Sequence, residues 1–324
     1  MTSSRGGRGG PAGPLRVAPP THPFLVMNPR SGAGKVRRFG LAEKAASLGA
    51  SVLFLDEDER ELAARLHAAV DDGADLLGVA GGDGTLAPVA EVAAERGVLF
   101  LVIPAGTRNH FALDLGLDRS RPDRALDALS DGVVSVVDLG VVGARPFVNN
   151  VSLGAYAEIV GRPDYRDSKL MVALDVLPDV LSGRVEQCFT VRAGPMTVTD
   201  PTVALVSNNP YGARGAGGVA RRRRLDLGVL GLMCVDVGRP GEALAAGERQ
   251  HPPAIVATAE EVVIDAPSPV VRAAVDGEST WLDTPAVCRI RPRSLRVLIP
   301  RHRPRAAGHR AAAAPRPVGR ATAR

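Results

Sequence analysis

Between residues 23 and 133 the chain alternates short, nearly continuous apolar runs with stretches of helical periodicity. Residues 24–28, 51–55, 74–80 and 98–103 are apolar runs of strand length, the pattern of strands buried on both faces. Between them, Leu62, Leu66 and Val70 recur at four-residue spacing, and residues 86–96 are rich in Ala, Val and Glu, so helices are predicted there. This alternation predicts right-handed βαβ units and a parallel, doubly wound α/β sheet, in which ligands bind at the carboxyl ends of the strands.

The texture then changes. Apolar runs at 133–142, 146–151, 185–192, 201–207, 231–237, 261–264 and 271–275 are broken by Gly, Pro, Asn and Asp, which predicts a second, mainly antiparallel β domain. One helix is expected within it, with Leu170, Leu174, Leu177 and Leu181 on a face and Pro178 bending or ending it. The expected organisation is a disordered tail over 1–21, an α/β domain over 22–135 and a β-rich domain over 136–290. A final strand over 291–300 returns to either domain, the first included, and a disordered basic tail occupies 301–324.

Net charge, +5 for the 324 residues, refines this picture. Residues 301–324 hold seven Arg and residues 1–21 three, with no acid in either, so removing those ten charges from +5 leaves a body at −5. No basic footprint of a nucleic-acid-binding domain is present, and no specific nucleic-acid partner is expected. The basic tail points to an anionic membrane surface, with RNA as the competing partner. Cys188, Cys234 and Cys288 lie in strand-like runs without metal-ligand spacing, and buried free thiols in a reducing compartment are expected. No apolar run approaches the ~18–20 residues of a membrane-spanning helix, and residues 1–21 lack the apolar stretch of a signal peptide. A cytoplasmic location is expected, with peripheral membrane contact.

Three turns carry candidate chemistry. The first predicted strand runs into Asn28-Pro29-Arg30-Ser31-Gly32-Ala33-Gly34-Lys35, a Gly-rich turn whose backbone N–H groups suit a phosphate, without Walker A spacing. The third ends in Gly81-Gly82-Asp83-Gly84-Thr85, where the glycines allow close approach to a ligand and Thr85 is placed to cap the following helix. A carboxylate beside a phosphate cradle is repulsive unless a divalent cation or a reacting hydroxyl lies between, so Asp83 is either functional or an ordinary turn residue. The fourth strand ends in Gly106-Thr107-Arg108-Asn109-His110, where Thr107 and Asn109 are candidates to bond phosphate or ribose. His110 is either catalytic or a structural hydrogen-bonder. The run 221–224, four arginines, is either a solvated strand entrance or a contact for phosphate or a lipid headgroup.

Asn28-Pro29-x-Ser31-Gly32, Gly81-Gly82-Asp83-Gly84-Thr85 and Gly106-Thr107-x-Asn109-x-x-Ala112 together resemble the diacylglycerol kinase catalytic family, which includes soluble bacterial lipid kinases and sphingosine kinases. The likeness continues through residues 147–154 and 207–212 to Asp276-Gly277-Glu278. What the resemblance implies is a nucleotide-binding α/β domain and a lipid-binding β-sandwich with the active site between them. It implies ATP and Mg2+, transfer of the γ-phosphoryl of ATP to a lipid hydroxyl, and a role in lipid metabolism, phospholipid biosynthesis included. Asn28, Ser31, Gly32, Gly81, Gly82, Asp83, Gly84, Thr85, Thr107 and Asn109 would hold ATP, and Glu278 would be the general base. Two departures stand out: His110 replaces the family's usual Asp, and Leu227 replaces an acid that helps hold a structural Mg2+, so that either Asp226 is the substitute ligand or the metal site is lost.

Two other functions compete. An NAD kinase would phosphorylate a ribose hydroxyl with a similar Gly-Gly-Asp-Gly-Thr loop, and the other two motifs favour the lipid branch. A catalytically degenerate lipid- or nucleotide-binding protein would fit His110 and Leu227, while Asp83 and Glu278 oppose it. Diacylglycerol, phosphatidylglycerol, a sphingoid base and other long-chain alcohols all remain open as substrates, as does the oligomeric state.

Overall fold

The structure is a computed structural model, and it describes residues 15–55, 61–154, 188–212, 221–235 and 254–302. The helix expected around Leu170–Leu181 and most of both tails lie outside these residues.

In chain order the first elements are β1 (Leu15–Arg16), β2 (Pro23–Met27), α1 (Lys35–Arg38), α2 (Leu41–Ser47), β3 (Ser51–Phe54) and α3 (Leu62–Asp71). There follow β4 (Leu76–Gly81), α4 (Asp83–Arg96), β5 (Leu99–Pro104), α5 (His110–Asp114) and a 3₁₀ helix (Pro122–Leu129). The strands after these are β6 (Gly132–Val142), β7 (Arg145–Phe147), β8 (Asn150–Gly154), β9 (Thr190–Ala193), β10 (Met196–Thr199), β11 (Val203–Asn208) and β12 (Leu230–Val235). The last five are β13 (Ala254–Ala259), β14 (Glu261–Asp265), β15 (Val270–Val275), β16 (Glu278–Asp283) and β17 (Ala286–Pro300).

β3, β2, β4 and β5 form the expected parallel ladder. Every residue of β4 and β5 is buried, because α3, α4 and α5 cover one face and α1, α2 and the 3₁₀ helix cover the other. The sheet does not stop there. β17 pairs in parallel with β5 through Arg296–Leu298, while its first half pairs antiparallel with β14, and β6 follows it along most of its length. A register shift between Arg291 and Leu295 lets one 15-residue strand serve both neighbourhoods. The result is an 11-stranded mixed sheet and a separate six-stranded antiparallel sheet in the order β13-β12-β11-β8-β15-β16.

An apolar core of Phe147, Val151, Leu153, Val206, Leu232, Val262, Ile264, Val275 and Cys288 lies between the two sheets. The strands therefore form a sandwich whose inner faces come from both sheets. Cys234 and Cys288 are buried free thiols in this core, and burial pushes their pKa values up to about 11 and about 12. Cys188 differs from expectation: it is exposed, because the side chain that turns inward just before β9 is Phe189.

Candidate active site

The three Gly-bearing turns meet at the carboxyl edge of the parallel strands. In the first, the Asn28 side-chain oxygen accepts the Arg30 N–H at 3.0 Å, and the Asn28 N–H reaches across to the Ala80 carbonyl at 2.9 Å. Gly32 has φ 55°, and a Cβ there would strike the Ala105 carbonyl, so this turn is packed on the one that follows β5. Lys35, at the end of this turn, donates to the carbonyls of Gly106 and Arg119, both at 3.1 Å. Burial lowers its pKa, and the nearby charges of Arg119 and Arg38 lower it further.

The second turn is tighter than expected. The helix begins at Asp83 with Gly82 as its N-cap, so Thr85 is not the cap but a buried residue of the first turn, packed on Gly81. The reason is the glycines: Gly82 and Gly106 approach so closely that a Cβ on Gly106 would overlap Gly82. In the third turn Asn109 adopts φ 55° and is 2% exposed. Its side chain accepts the Gly106 N–H at 2.9 Å and donates to the Gly106 carbonyl at 2.7 Å, closing the turn. Thr107 is exposed at its tip.

Asp83 is 9% exposed. Its Oδ2 accepts the His110 N–H at 3.3 Å, and its Oδ1 is buried without a hydrogen-bond partner. A buried unpaired carboxylate oxygen is costly, and it is tolerated at a site built to receive a donor or cation from outside the chain. The imidazole of His110 has its pKa lowered by burial, with Asp83 opposing.

The opposite wall comes from the hairpin of β15 and β16. Asp276 and Gly277 have φ 50° and 87°, the two-residue hairpin that an Asp-Gly pair favours. The Asp276 carboxylate accepts the N–H groups of Val148 at 2.8 Å, Asn149 at 2.7 Å and Asn150 at 3.0 Å. Its pKa is nonetheless pushed up to about 7, by burial first and by the charge of Asp83, against those donors. Glu278 follows directly. A Cβ on Gly84 would fall inside its carboxylate, so Glu278 stands on the helix turn that carries Asp83. Its side chain is 56% exposed and receives the guanidinium of Arg145 at 3.4 Å; Arg145 also reaches Thr280 Oγ1 at 3.1 Å.

The structure thus packs the turns holding Asn28, Ser31, Gly32, Gly81, Gly82, Asp83, Gly84, Thr85, Thr107 and Asn109 on one another and sets Glu278 against Gly84, with Thr85 and Asn109 buried and the Asn109 side chain bonded within its own turn. It does not bring Asp226 to these turns: both its oxygens are bonded by Arg224, at 2.8 and 3.0 Å, which lowers its pKa. Among the described residues no cluster of three or more His, Cys, Asp or Glu forms a metal cage. Sequence reasoning missed three residues. Arg145 carries no motif. Asp276 was visible only as the first residue of the Asp276-Gly277-Glu278 motif, with no role of its own, and Arg222 was hidden within a run of arginines, of which it alone is fully buried.

A model of the diacylglycerol kinase catalytic domain matches residues 22–142, the span holding all three Gly-bearing turns. A diacylglycerol kinase of Mycobacterium tuberculosis (strain CDC 1551 / Oshkosh) is 33% identical over 118 residues, 36% of this chain and 38% of that protein. The aligned part therefore spans well under half of that relative. A protein of Stenotrophomonas maltophilia (strain K279a) named "Probable lipid kinase YegS-like" is 26% identical over 222 residues, 64% of this chain and 71% of its own. The fold is that of a solved diacylglycerol kinase from Bacillus anthracis str. Sterne, with TM-score 0.59 at 17% identity, over 86% of this chain and 97% of that one. The diacylglycerol kinase catalytic-domain match ends at Val142, so Glu278 lies outside it and reaches Gly84 only through the tertiary fold.

Proposed function

We propose that the protein is an ATP-dependent lipid kinase that phosphorylates a lipid hydroxyl, with Glu278 as general base. One observation carries this reading: the Glu278 carboxylate rests on Gly84, next to a buried Asp83 whose Oδ1 has no partner. The donor set fits a metal-bound triphosphate. Three turns meet through glycines that leave room for phosphate oxygens, and Asp83 offers an oxygen to a hydrated Mg2+, which usually takes only one or two protein carboxylates. When bound, ATP supplies the phosphoryl group, and Mg2+ the charge that neutralises it.

In this reading the backbone N–H groups of the first and third turns bind and orient the phosphates, while Thr107 at its exposed tip faces incoming ligand. Glu278 takes the proton of the lipid hydroxyl onto a carboxylate oxygen as that hydroxyl attacks, and Arg145 keeps the side chain aimed. The acceptor is a diacylglycerol-like or sphingoid-like alcohol at a membrane surface.

Incubation with radiolabelled ATP and a total lipid extract tests the proposal: label should enter one lipid class. Label in added NAD and none in lipid would transfer the reading to a ribose hydroxyl. Membrane contact through the basic tail is a separate proposal. Residues 303–324 hold six Arg and no acid, and each basic residue near an anionic leaflet contributes about 1 kcal/mol. Deleting them should weaken binding to phosphatidylserine vesicles at low salt, and unchanged binding would reject the contact.

A further inference from the structure

One ion pair is more deeply buried than any other among the described residues. Arg222 and Asp114 have side chains 0% and 4% exposed, joined from Nε to Oδ2 at 2.7 Å. The Arg222 backbone N–H also donates to Asp114 Oδ1 at 3.3 Å. The guanidinium then fans out. One terminal nitrogen donates to the carbonyls of Val148 at 2.6 Å and Asn208 at 2.8 Å, and the other donates to Asn149 Oδ1 at 2.8 Å. The ring of Tyr211 lies 5.6 Å from the guanidinium carbon, and the Tyr211 hydroxyl accepts from Asn150 Nδ2 at 3.2 Å.

Three of these contacts fall on consecutive residues, 148–150. Their backbone N–H groups are the donors that hold the Asp276 carboxylate, and the Asp276 N–H returns to the Asn150 carbonyl at 2.9 Å. Two residues after Asp276 stands Glu278. A rigid chain of bonds therefore runs from helix α5, through the guanidinium and one loop, to the hairpin that presents the carboxylate over Gly84. A guanidinium is suited to this place because its planar fork holds several acceptors in fixed directions, which an ammonium does not.

We propose that Arg222, neutralised by Asp114, is a positioning residue for Glu278: it fixes the 148–150 backbone, which fixes Asp276 and so the hairpin that carries the base. The proposal rests on the kinase reading for its effect on turnover, but its effect on the 148–150 backbone is independent of that reading.

Arg222→Lys in the full chain is the test, because it keeps a cation opposite Asp114 and discards the fork. A second variant, Asp114→Asn with Arg222→Gln, removes both charges together and so leaves no unpaired buried ion. In both, the circular dichroism at assay temperature should remain that of the wild-type fold although the melting temperature falls as buried acceptors lose a donor, and the amides of Val148, Asn149 and Asn150 should exchange faster with solvent deuterium than those elsewhere in the sheets. Turnover with the labelled lipid should fall about 10- to 100-fold, and the KM for ATP should hold within about 2-fold. Unchanged exchange at 148–150, or unchanged turnover in both variants, would overturn the proposal. If the wild type phosphorylates no lipid, the functional reading fails, and exchange at 148–150 alone decides whether Arg222 holds the loop.

Discussion

Glu278 fills the space that a side chain on Gly84 would need. The two residues are 194 positions apart in sequence, and their contact joins the loop that carries Asp83 to the hairpin that carries the candidate base. Gly84→Ala tests its importance with little effect on the fold. Gly84 lies in the first turn of α4, where Ala is well tolerated, and the atoms it would meet are the far end of a flexible side chain. Stability should be unchanged, while lipid phosphorylation should fall about 100-fold as Glu278 is pushed aside.

Glu278→Gln keeps the shape and the Arg145 contact but cannot accept the hydroxyl proton. Turnover should drop about 10²- to 10⁴-fold with ATP affinity retained. Turnover equal to the wild type in a direct kinase assay would remove Glu278 from the role of base.

Asp276 supplies a pH dependence. Its folded-state pKa, about 7, lies above the ordinary 3.8, so the folded chain holds more protons than the unfolded chain between those values. Its contribution to stability is therefore complete below about pH 4 and lost as pH rises through about 7. Asp83 is one cause of the shift. Asp83→Asn should move this loss to lower pH, readable in melting temperature against pH or in the carboxyl carbon resonance of Asp276.

Phe147 ties the core to the site. Its fully buried ring packs where a side chain on Gly140 would sit, and the chain passes from it directly to Val148 and Asn149, which bond Asp276. Phe147→Ala should cost about 3–5 kcal/mol in urea unfolding. Because the same strand anchors the 148–150 loop, turnover should fall by more than the folded fraction does.

Local pattern determined the four parallel strands and the helices α3 and α4, because runs such as 76–80 and 99–103 have no polar residue and must be covered on both faces. It also marked the three Gly-bearing turns, whose chemistry is local: a turn needs its glycine wherever it lies in a fold. It did not show that Asn109 bonds its own turn, that Lys35 braces two carbonyls, that Asp226 is taken by Arg224, or that Arg222 is buried while the arginines beside it are not. Those outcomes depend on which distant acceptor arrives within about 3 Å, and no periodicity encodes that. The same holds for the site itself. Asp276-Gly277-Glu278 reads as a hairpin turn on its own, and only the packing of one sheet against the other sets its carboxylate on Gly84.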